Sequence, residues 1–429
     1  MTNINVRALF WVEHDPRAPW LTALENGEDM ARSGTIISVC DDVGVLRDAL
    51  VQGPVCDPLG ARTQSAGREV EEAARQHRRL VRALETAGVT VRHLDALLHS
   101  ALGFADARDW ILERRLAEVE TETSAAGGII FWLSEQPADA LTRFLMEGMQ
   151  LADLPAGLRG PAHDATDGAG WLIAPLADAM HPRSRLRVID SGVLLSQPEQ
   201  RQSRAAAITA ATVLNFAPLF DQSRFEFWLT ADGADRSSPP VAGNDIAMPS
   251  EGVCVGAITR NTSVQALSLL AASLFRQNRV SSMFWLDLTG TGCECLDDCF
   301  LPLSRDCLLV DTALLETASA FGVRANHRGA VLGIEPCGSS FVQELARRME
   351  ATELHLIDIR QHPGPVADAL AMLAPIVLSP GRIIAFEEQE AGFRVLEQHG
   401  VEIVSCFPGA ALSPRGKGPR GLLAALHAV

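Results

Sequence analysis

The hydrophobic pattern of the first part of the chain predicts two strands, a helix and a third strand. From position 35, TIISVCDDVGVLRDALVQGP gives an apolar strand, a short turn at Gly44 and a second apolar strand closed by Gly53 and Pro54. Over 68–87 apolar residues recur at helical spacing, and VTVRHLD then alternates like a strand. This order of elements predicts an α/β fold.

The pattern changes between residues 97 and 154. Two segments there, ARDWILERRLAEVETE and ADALTRFLMEGMQLADL, show helical apolar spacing, and no strand-like run separates them. From 171 to the end strands and helices alternate again, as in LRVIDSGVLLS, SSMFWLDL and GRIIAF, without a break in composition. We predict one α/β unit over 35–429, a helical insertion over 97–154 and an appended arm over 1–34.

Composition and charge narrow the function classes. The 429 residues are 47% hydrophobic and carry a formal charge of −16, with a pI near 5.1. Nucleic-acid and anionic-membrane binders need a concentrated basic surface, so a small-molecule or protein partner fits better. The nine cysteines are scattered along a long chain and no long apolar run occurs, so we expect a reduced, cytoplasmic protein that does not enter the membrane.

Several short segments resemble, in order, those of arginine deiminases. They are a DxGxLR-like start at Asp42, Gly44, Leu46 and Arg47, and then WILERRL at 110–116, SPGRIIAF at 379–386, LEQHGVEIV at 396–404 and GKGPRG at 416–421. Arginine deiminases belong to the guanidino-modifying superfamily that also contains the amidinotransferases. The resemblance implies a five-bladed, pseudosymmetric α/β propeller, the pentein fold, with the active site on its axis and a helical insertion.

The same resemblance implies a mechanism that needs three kinds of group. A cysteine thiolate attacks the guanidinium carbon, a histidine moves protons, and acidic residues hold the planar cation. Carboxylates suit that last role because they accept paired hydrogen bonds from a guanidinium group. The matching positions of this chain can therefore be checked one at a time.

Most of the matching positions have lost the required group. The FTRD-like motif falls on HPRS at 181–184, which keeps Arg183 but replaces the clamping aspartate by Ser184. The EGGD-like motif falls on AGND at 242–245, where Ala242 replaces the glutamate and Asp245 remains. In the following TRNTS the arginine becomes asparagine, although Arg260 lies beside it.

The nucleophile and the histidine are also replaced. The HLD motif falls on residues 295–297, so Cys295 takes the place of the histidine while the second clamping aspartate remains as Asp297. Gly421 follows GKGPR where the resemblance places the cysteine, and Cys406, the nearest upstream cysteine, is too far away to be brought there by a small shift. We therefore expect no hydrolysis of arginine by the cysteine mechanism, since residues that act as a unit fail as a unit.

Two hypotheses of different class follow. The first is a non-catalytic member of the family that binds an amino-acid or guanidino ligand, or that serves as a partner of an active enzyme or of its own copies. Its pocket would contain Asp178, Arg183, Asp245, Arg260, Cys295 and Asp297. Arg183 would meet a carboxylate and Asp297 a cation, unless both are structural ion pairs. The second is a divergent enzyme acting on a modified guanidino or amino-acid substrate through Cys295 and Asp297.

Two further features have alternative interpretations. The CECLDDC segment at 293–299 lacks the paired spacing of common zinc sites, so we expect buried cysteines there, and neither a metal nor a cofactor. In the N-terminal arm, Trp11 and Trp20 are large amphipathic side chains that would suit the docking of a protein partner.

Overall fold

The computed structural model describes residues 36–55, 64–117, 123–159, 170–198, 201–221, 223–229, 238–326, 331–337, 340–351, 353–413 and 416–429. The arm predicted over 1–34, with Trp11 and Trp20, lies outside the described residues. Strands and helices alternate along the described chain, which confirms the predicted α/β class.

Five sheets share one strand pattern. In each, a central strand pairs antiparallel with one neighbour and parallel with the other. The first sheet contains β1 (Ser38–Val39), β2 (Leu46–Val51), β3 (Thr90–His93) and β20 (Leu423–Ala428); the second, β6 (Leu186–Ile189), β7 (Gly192–Leu195) and β8 (Glu226–Leu229); the third, β9 (Ile246–Ser250), β10 (Val253–Ile258), β11 (Ser282–Asp287), β14 (Ser319–Asn326) and β15 (Val331–Pro336); the fourth, β12 (Phe300–Pro302), β13 (Cys307–Val310) and β16 (His355–Asp358); the fifth, β17 (Ile376–Ser379), β18 (Arg382–Phe386) and β19 (Glu402–Phe407).

The first and third sheets depart from the three-strand pattern. In the first, β20 lies between β1 and β2, parallel to β1 and antiparallel to β2, so a strand from near residue 428 completes a sheet begun near residue 38. In the third, the hairpin β14–β15 adds two antiparallel strands to β11. A separate pair, β4 (Met149–Gln150) and β5 (Trp171–Ile173), is antiparallel.

Helices connect the parallel strands, because a parallel pair needs a long crossover. The crossover helices of the five sheets are, in order, α1 (Gln64–Thr86), α7 (Arg201–Phe216), α8 (Val264–Arg276), α10 (Phe341–Arg348) and α12 (Glu390–Gln398). Three short helices lie in other connections: α6 (Pro182–Arg185), α9 (Thr312–Thr317) and α11 (Pro365–Ala371). In the second sheet β7 (GVLL) reads as a continuous apolar run because it is buried on both faces, and the equally buried β6 is apolar except for Arg187.

Four helices occupy the region where the sequence pattern predicts an insertion. They are α2 (Leu94–Ala101), α3 (Ala105–Leu116), α4 (Thr123–Ser134) and α5 (Ala138–Glu147). Their buried side chains, among them Leu98, Ile111, Leu133 and Leu145, belong to the same hydrophobic cluster as strands of the first and second sheets. These helices are therefore packed onto the sheets rather than around a core of their own.

Five hydrophobic clusters lie between neighbouring sheets. They join the first sheet to the second, the second to the third, the third to the fourth, the fourth to the fifth, and the fifth back to the first. Of the charged side chains described next, Arg187 lies in β6, and the others lie in short turns and loops that precede or follow strands. No helix among the described residues is long and apolar enough to cross a membrane.

Candidate functional site

A buried ion pair joins two of the residues predicted from the sequence. Arg183 lies in α6, which begins with Pro182, a residue that suits the first turn of a helix. Asp297 lies in a single turn of 3-10 helix, Leu296–Asp298, that precedes β12. The Arg183 Nε donates to Asp297 Oδ2 at 2.5 Å and its Nη2 donates to Oδ1 at 2.9 Å. This paired geometry is the one that a carboxylate would offer to a guanidinium ligand.

Three more charged residues complete the group, which we call the ion cluster: Arg183, Asp297, Asp42, Arg187 and Arg420. Arg420 donates from Nε to Asp297 Oδ1 at 3.2 Å, and its Nη2 lies 3.5 Å from Asp42 Oδ2. Arg187 donates from Nη2 to Asp42 Oδ1 at 2.6 Å. The backbone N–H of Met248 donates to Asp42 Oδ2 at 2.9 Å.

The ion cluster is buried and ionised. Each of its side chains is less than 10% exposed. Burial by itself would raise the pKa of Asp297, but the guanidinium groups of Arg183 and then Arg420 hold it below its ordinary value. For Asp42 burial again opposes ionisation, and Arg187, Arg420 and Arg183 together bring its pKa well below the ordinary value. Neither carboxylate takes up a proton near neutral pH, because each is matched to guanidinium groups that stay charged.

Little space remains beside the ion cluster. The cavity that adjoins Asp42, Arg183, Arg187 and Arg420 has a volume of about 40 Å³. Sites for small ligands enclose roughly 300–1,000 Å³. That cavity is therefore too small for an amino acid.

Asp245 accepts a hydrogen bond from the turn that carries Asp297 and so stabilises that turn. Its carboxylate accepts hydrogen bonds from the hydroxyls of Thr259 at 2.7 Å and Thr262 at 2.6 Å, and from the backbone N–H of Leu296 at 3.1 Å. Burial raises the pKa of Asp245 to about 6 despite these three donors. Asp245 thus holds the protein's own backbone and hydroxyl groups rather than facing an open pocket.

Cys295 is poorly placed to act as a nucleophile. The residue is 5% exposed, and its carbonyl oxygen lies 3.1 Å from the sulfur of Cys293. Burial, and then the carboxylates of Asp298 and Asp297, raise the pKa of the Cys295 thiol well above its ordinary value. Because the thiolate is the reactive form, such a thiol attacks slowly at neutral pH.

Gly421 lies beside a histidine. A Cβ added to Gly421 would lie 3.6 Å from Cδ2 of His181, the residue just before α6. The hydroxyl of Ser184 donates back to the His181 carbonyl at 2.9 Å and so stays within its own turn. Arg420, next to Gly421, is fixed in the ion cluster by Asp297.

Comparisons with known proteins identify this architecture. The sequence pattern of the family described as arginine deiminase matches residues 67–423, most of the chain. The chain belongs to the arginine deiminase family. Its fold also matches SxtG, an amidinotransferase of the saxitoxin biosynthetic pathway from Microseira wollei, with a TM-score of 0.52, 13% identity and coverage of 92% of this chain and 98% of that one. The inosamine-phosphate amidinotransferase StrB1 from Streptomyces griseus matches with a TM-score of 0.50, 12% identity and coverage of 92% and 97%.

Four residues of this chain stand where the arginine deiminase resemblance places functional groups. Ala242 is buried, and its backbone N–H donates to Thr262 Oγ1 at 3.0 Å. Ser184, Cys295 and Gly421 occupy the positions described above, so none of these four residues supplies an exposed thiolate or a carboxylate. Arg183 and Asp297 form an internal ion pair. This is the structural role that the sequence allows for them as an alternative to ligand binding.

The other predicted pocket residues are less closely associated. Arg260 is exposed, in the bend after β10, and does not belong to the ion cluster. The side chain of Asp178 lies outside the described residues, in the 3-10 turn Ala177–Met180. Of the six residues of the predicted pocket, the described structure brings together Arg183, Asp297 and the neighbouring Asp245 and Cys295, and it places Arg260 apart from them.

Three members of the ion cluster were missing from the predicted site. Asp42 and Arg420 lie in the segments that carry the family resemblance, DxGxLR and GKGPRG, but nothing in those segments alone shows that their side chains meet. Arg187 had a detectable signal, since it is a charged residue inside the otherwise apolar strand LRVI. A charge at such a position predicts a buried partner of opposite sign, because an unpaired buried charge is very costly.

Proposed function

We propose that this member of the arginine deiminase family does not hydrolyse arginine and acts as a non-catalytic partner or regulatory protein. One observation carries the proposal: both oxygens of Asp297 are already bonded by the guanidinium groups of Arg183 and Arg420. The other clamping aspartate that the resemblance would assign to the substrate is absent, because Ser184 replaces it.

Displacing the internal arginines would be costly. A guanidino ligand that reached Asp297 would have to leave Arg183 buried without its carboxylate, and breaking a buried pair costs about 3–5 kcal/mol. Gly421 adds a second barrier, because it provides no sulfur to attack the guanidinium carbon. These two features together favour loss of both steps, substrate capture and covalent attack.

For the architecture, we propose a five-bladed propeller with the ion cluster on its axis and residues 97–154 as an insertion. The propeller arrangement is supported by the pattern of five similar sheets, each joined to the next by a hydrophobic cluster. In this arrangement the cluster occupies the place where the resemblance puts the substrate.

Mass spectrometry of the pure protein incubated with arginine and other guanidino and ureido amino acids tests the proposal. These compounds come first because the family name and the two amidinotransferase neighbours concern guanidino chemistry. We expect that no substrate is consumed and that no new mass appears. An active arginine deiminase, incubated in parallel, is the positive control. Formation of citrulline by the pure protein would refute the proposal.

The alternative of a divergent enzyme depends on Cys295 and Asp297. The burial of Cys295 and the raised pKa of its thiol oppose it. Conversion of another compound would by itself favour the divergent enzyme, and Cys295→Ser then tests whether Cys295 takes part, because the substitution keeps the size of the side chain and removes the thiol. Activity lost in Cys295→Ser assigns the chemistry to Cys295; activity retained assigns it to other residues.

Isothermal titration calorimetry with arginine separates the ligand-binding role from the partner role. We expect no heat of binding, since the ion cluster already fills the guanidinium site. Saturable heat with a fitted stoichiometry of one would make this chain an amino-acid binder rather than a partner protein.

A further inference from the structure

A groove of about 680 Å³ lies at the seam between the first and fifth sheets. Helix α1 forms one side of it, and the strands β17, β18 and β19 contribute the other. Its described lining contains none of the five residues of the ion cluster, so the groove is distinct from that site. Pockets for small organic ligands enclose roughly 300–1,000 Å³. The groove is therefore large enough for such a molecule.

Two arginines of α1 line the groove. Arg79 and Arg82 are three residues apart in the helix, so their side chains lie on one face. Neither forms an ion pair with a residue that the structure describes. Glu72 attracts Arg79, but its carboxylate is already bonded by Arg75 at 2.5 Å. Like charges at this spacing repel each other, and a bound anion would relieve that repulsion.

The sheet side adds a third guanidinium group. Arg382 in β18 lines the groove, and its Nε donates to Glu402 Oε2 at 3.0 Å in an exposed pair. Exposed ion pairs are weak, so an anion in the groove can compete for this arginine. Glu387 is the one acidic residue of the described lining, which leaves the three arginines two positive charges in excess. In a chain with a formal charge of −16, this is a local basic site.

The groove also has an apolar surface and hydroxyl groups. Leu46, Leu378 and Phe407 line it, and all three belong to the hydrophobic cluster between the fifth and first sheets. Because each of the three is buried, they form its floor. Ser379 and Ser405 also line the groove, and their hydroxyls bond to no residue that the structure describes. The groove therefore combines positive charge, hydrogen-bond donors and an apolar floor.

We propose that the groove binds a small organic phosphate monoester, with its phosphate against Arg79 and Arg82 and its organic body on the apolar floor. A phosphate monoester carries about −1.5 to −2 charges at neutral pH, which matches the excess positive charge of the lining. Its oxygens accept paired hydrogen bonds from guanidinium groups and further ones from the serine hydroxyls. A carboxylate carries a single charge and would leave half of that excess unmatched. Binding here is independent of the proposed function, because no residue of the ion cluster takes part.

Isothermal titration calorimetry of the full chain with phenyl phosphate tests the proposal. We expect saturable heat with a stoichiometry of one. Inorganic phosphate, which lacks the apolar body, should bind about tenfold more weakly. Benzyl alcohol, which has the body without the charge, should give no saturable heat. Equal affinities for benzyl alcohol and phenyl phosphate would contradict a phosphate site.

Arginine substitutions assign the binding to the groove. Arg79→Gln and Arg82→Gln should each raise the Kd for phenyl phosphate about tenfold, since each removes a charged hydrogen-bond donor. Arg78→Gln is the matched control, because Arg78 is an exposed arginine of the same helix that does not line the groove. It removes the same charge from the protein and should change the Kd by less than about twofold.

Alkylation of Cys406 locates the bound molecule independently. Cys406 is exposed and lines the groove, so saturating phenyl phosphate should slow its reaction with iodoacetamide. Cys337, which is partly exposed and follows β15 of the third sheet, should react at an unchanged rate. Absence of saturable binding, equal effects of Arg78→Gln and Arg79→Gln, or a Cys406 rate that phenyl phosphate leaves unchanged would overturn the proposal.

Discussion

Asp297 is the residue whose role changes most when sequence and structure are compared. The resemblance assigns it to a substrate cation, yet it is bonded to Arg183 and Arg420 from the same chain. Its presence in a family motif was visible in the sequence. Its partners were not, because Arg183 and Arg420 lie more than a hundred residues away and only the fold brings them together.

Replacing Asp297 should therefore affect stability. Asp297→Asn leaves three buried guanidinium groups with Asp42 as the one carboxylate of the ion cluster, and we expect a loss of about 3–5 kcal/mol in the free energy of unfolding, measured by urea denaturation. The matched control is Glu402→Gln, which breaks the exposed pair with Arg382 at 3.0 Å and should cost less than about 1 kcal/mol. Equal effects of the two substitutions would contradict a buried, structural role.

Asp245 gives the stability a pH dependence of unusual sign. Its pKa rises from 3.8 to about 6 on folding, so the native state holds a proton that the unfolded chain has lost. The stabilisation that comes from binding this proton is fully present below 3.8, the pKa of Asp245 in the unfolded chain, and it is lost as the pH rises through about 6. The difference between these two pKa values corresponds to roughly 3 kcal/mol.

Urea unfolding between pH 4 and 8 should show this contribution as a difference between the natural chain and Asp245→Asn. The difference is needed because His77, whose pKa burial lowers to about 4, gives a slope of opposite sign in the same range. Asp42 and Asp297, with lowered pKa values, act only at more acidic pH. Parallel stability curves for the two proteins from pH 4 to 8 would show that Asp245 is not the source.

At the scale of elements, the sequence predicted local structure better than pairing. The strand, turn, strand, helix and strand expected near the start correspond to β1, β2, α1 and β3. Apolar alternation could not show that β20 lies between β1 and β2, since a strand's pattern specifies its faces but not its neighbour. The short α6, which carries Arg183, has too few residues for any period to be detected.

The loop before Arg420 depends on a close approach of two backbone segments. A Cβ at Gly418 would lie 1.6 Å from the carbonyl oxygen of Leu373, and the Gly418 N–H donates to Met372 O at 2.7 Å. Backbone cannot move aside as a flexible side chain can. Only glycine therefore fits at 418, although its φ of −68° is ordinary.

Gly418→Ala should destabilise the protein by about 1–3 kcal/mol or more, as overpacking does, and the effect is measured as a lower midpoint of thermal unfolding. Gly127→Ala in α4 is the control. A Cβ there meets nothing within 4 Å, so alanine should raise stability by up to about 1 kcal/mol through its higher helix propensity. A neutral Gly418→Ala would mean that the loop and Leu373 are not in contact.

At the scale of the whole molecule, β20 joins the two ends of the described chain. It pairs with β1 on one side and β2 on the other, and Val429 exchanges backbone hydrogen bonds with Val45. Leu426, in the middle of β20, is fully buried in the cluster shared by the first and second sheets. Stability therefore depends on a contact between residues almost four hundred positions apart.

Removing residues 423–429 should abolish cooperative thermal unfolding and give an aggregated protein in size-exclusion chromatography, because β1 and β2 lose their shared neighbour. Removing Val429 alone, whose side chain is about half exposed, should leave a folded protein with a slightly lower midpoint. A shortened chain that ends at Leu422 and still unfolds cooperatively would show that β20 is dispensable.

The position of β20 also determines when the protein can fold during synthesis. Strands β1 and β2 emerge from the ribosome among the first described elements, but the strand that must lie between them is made near residue 428. Their unpaired edges stay exposed throughout translation of the remaining sheets, and open strand edges promote aggregation. This chain should therefore need the protection of chaperones on the ribosome for longer than a protein of equal length whose neighbouring strands follow one another in sequence.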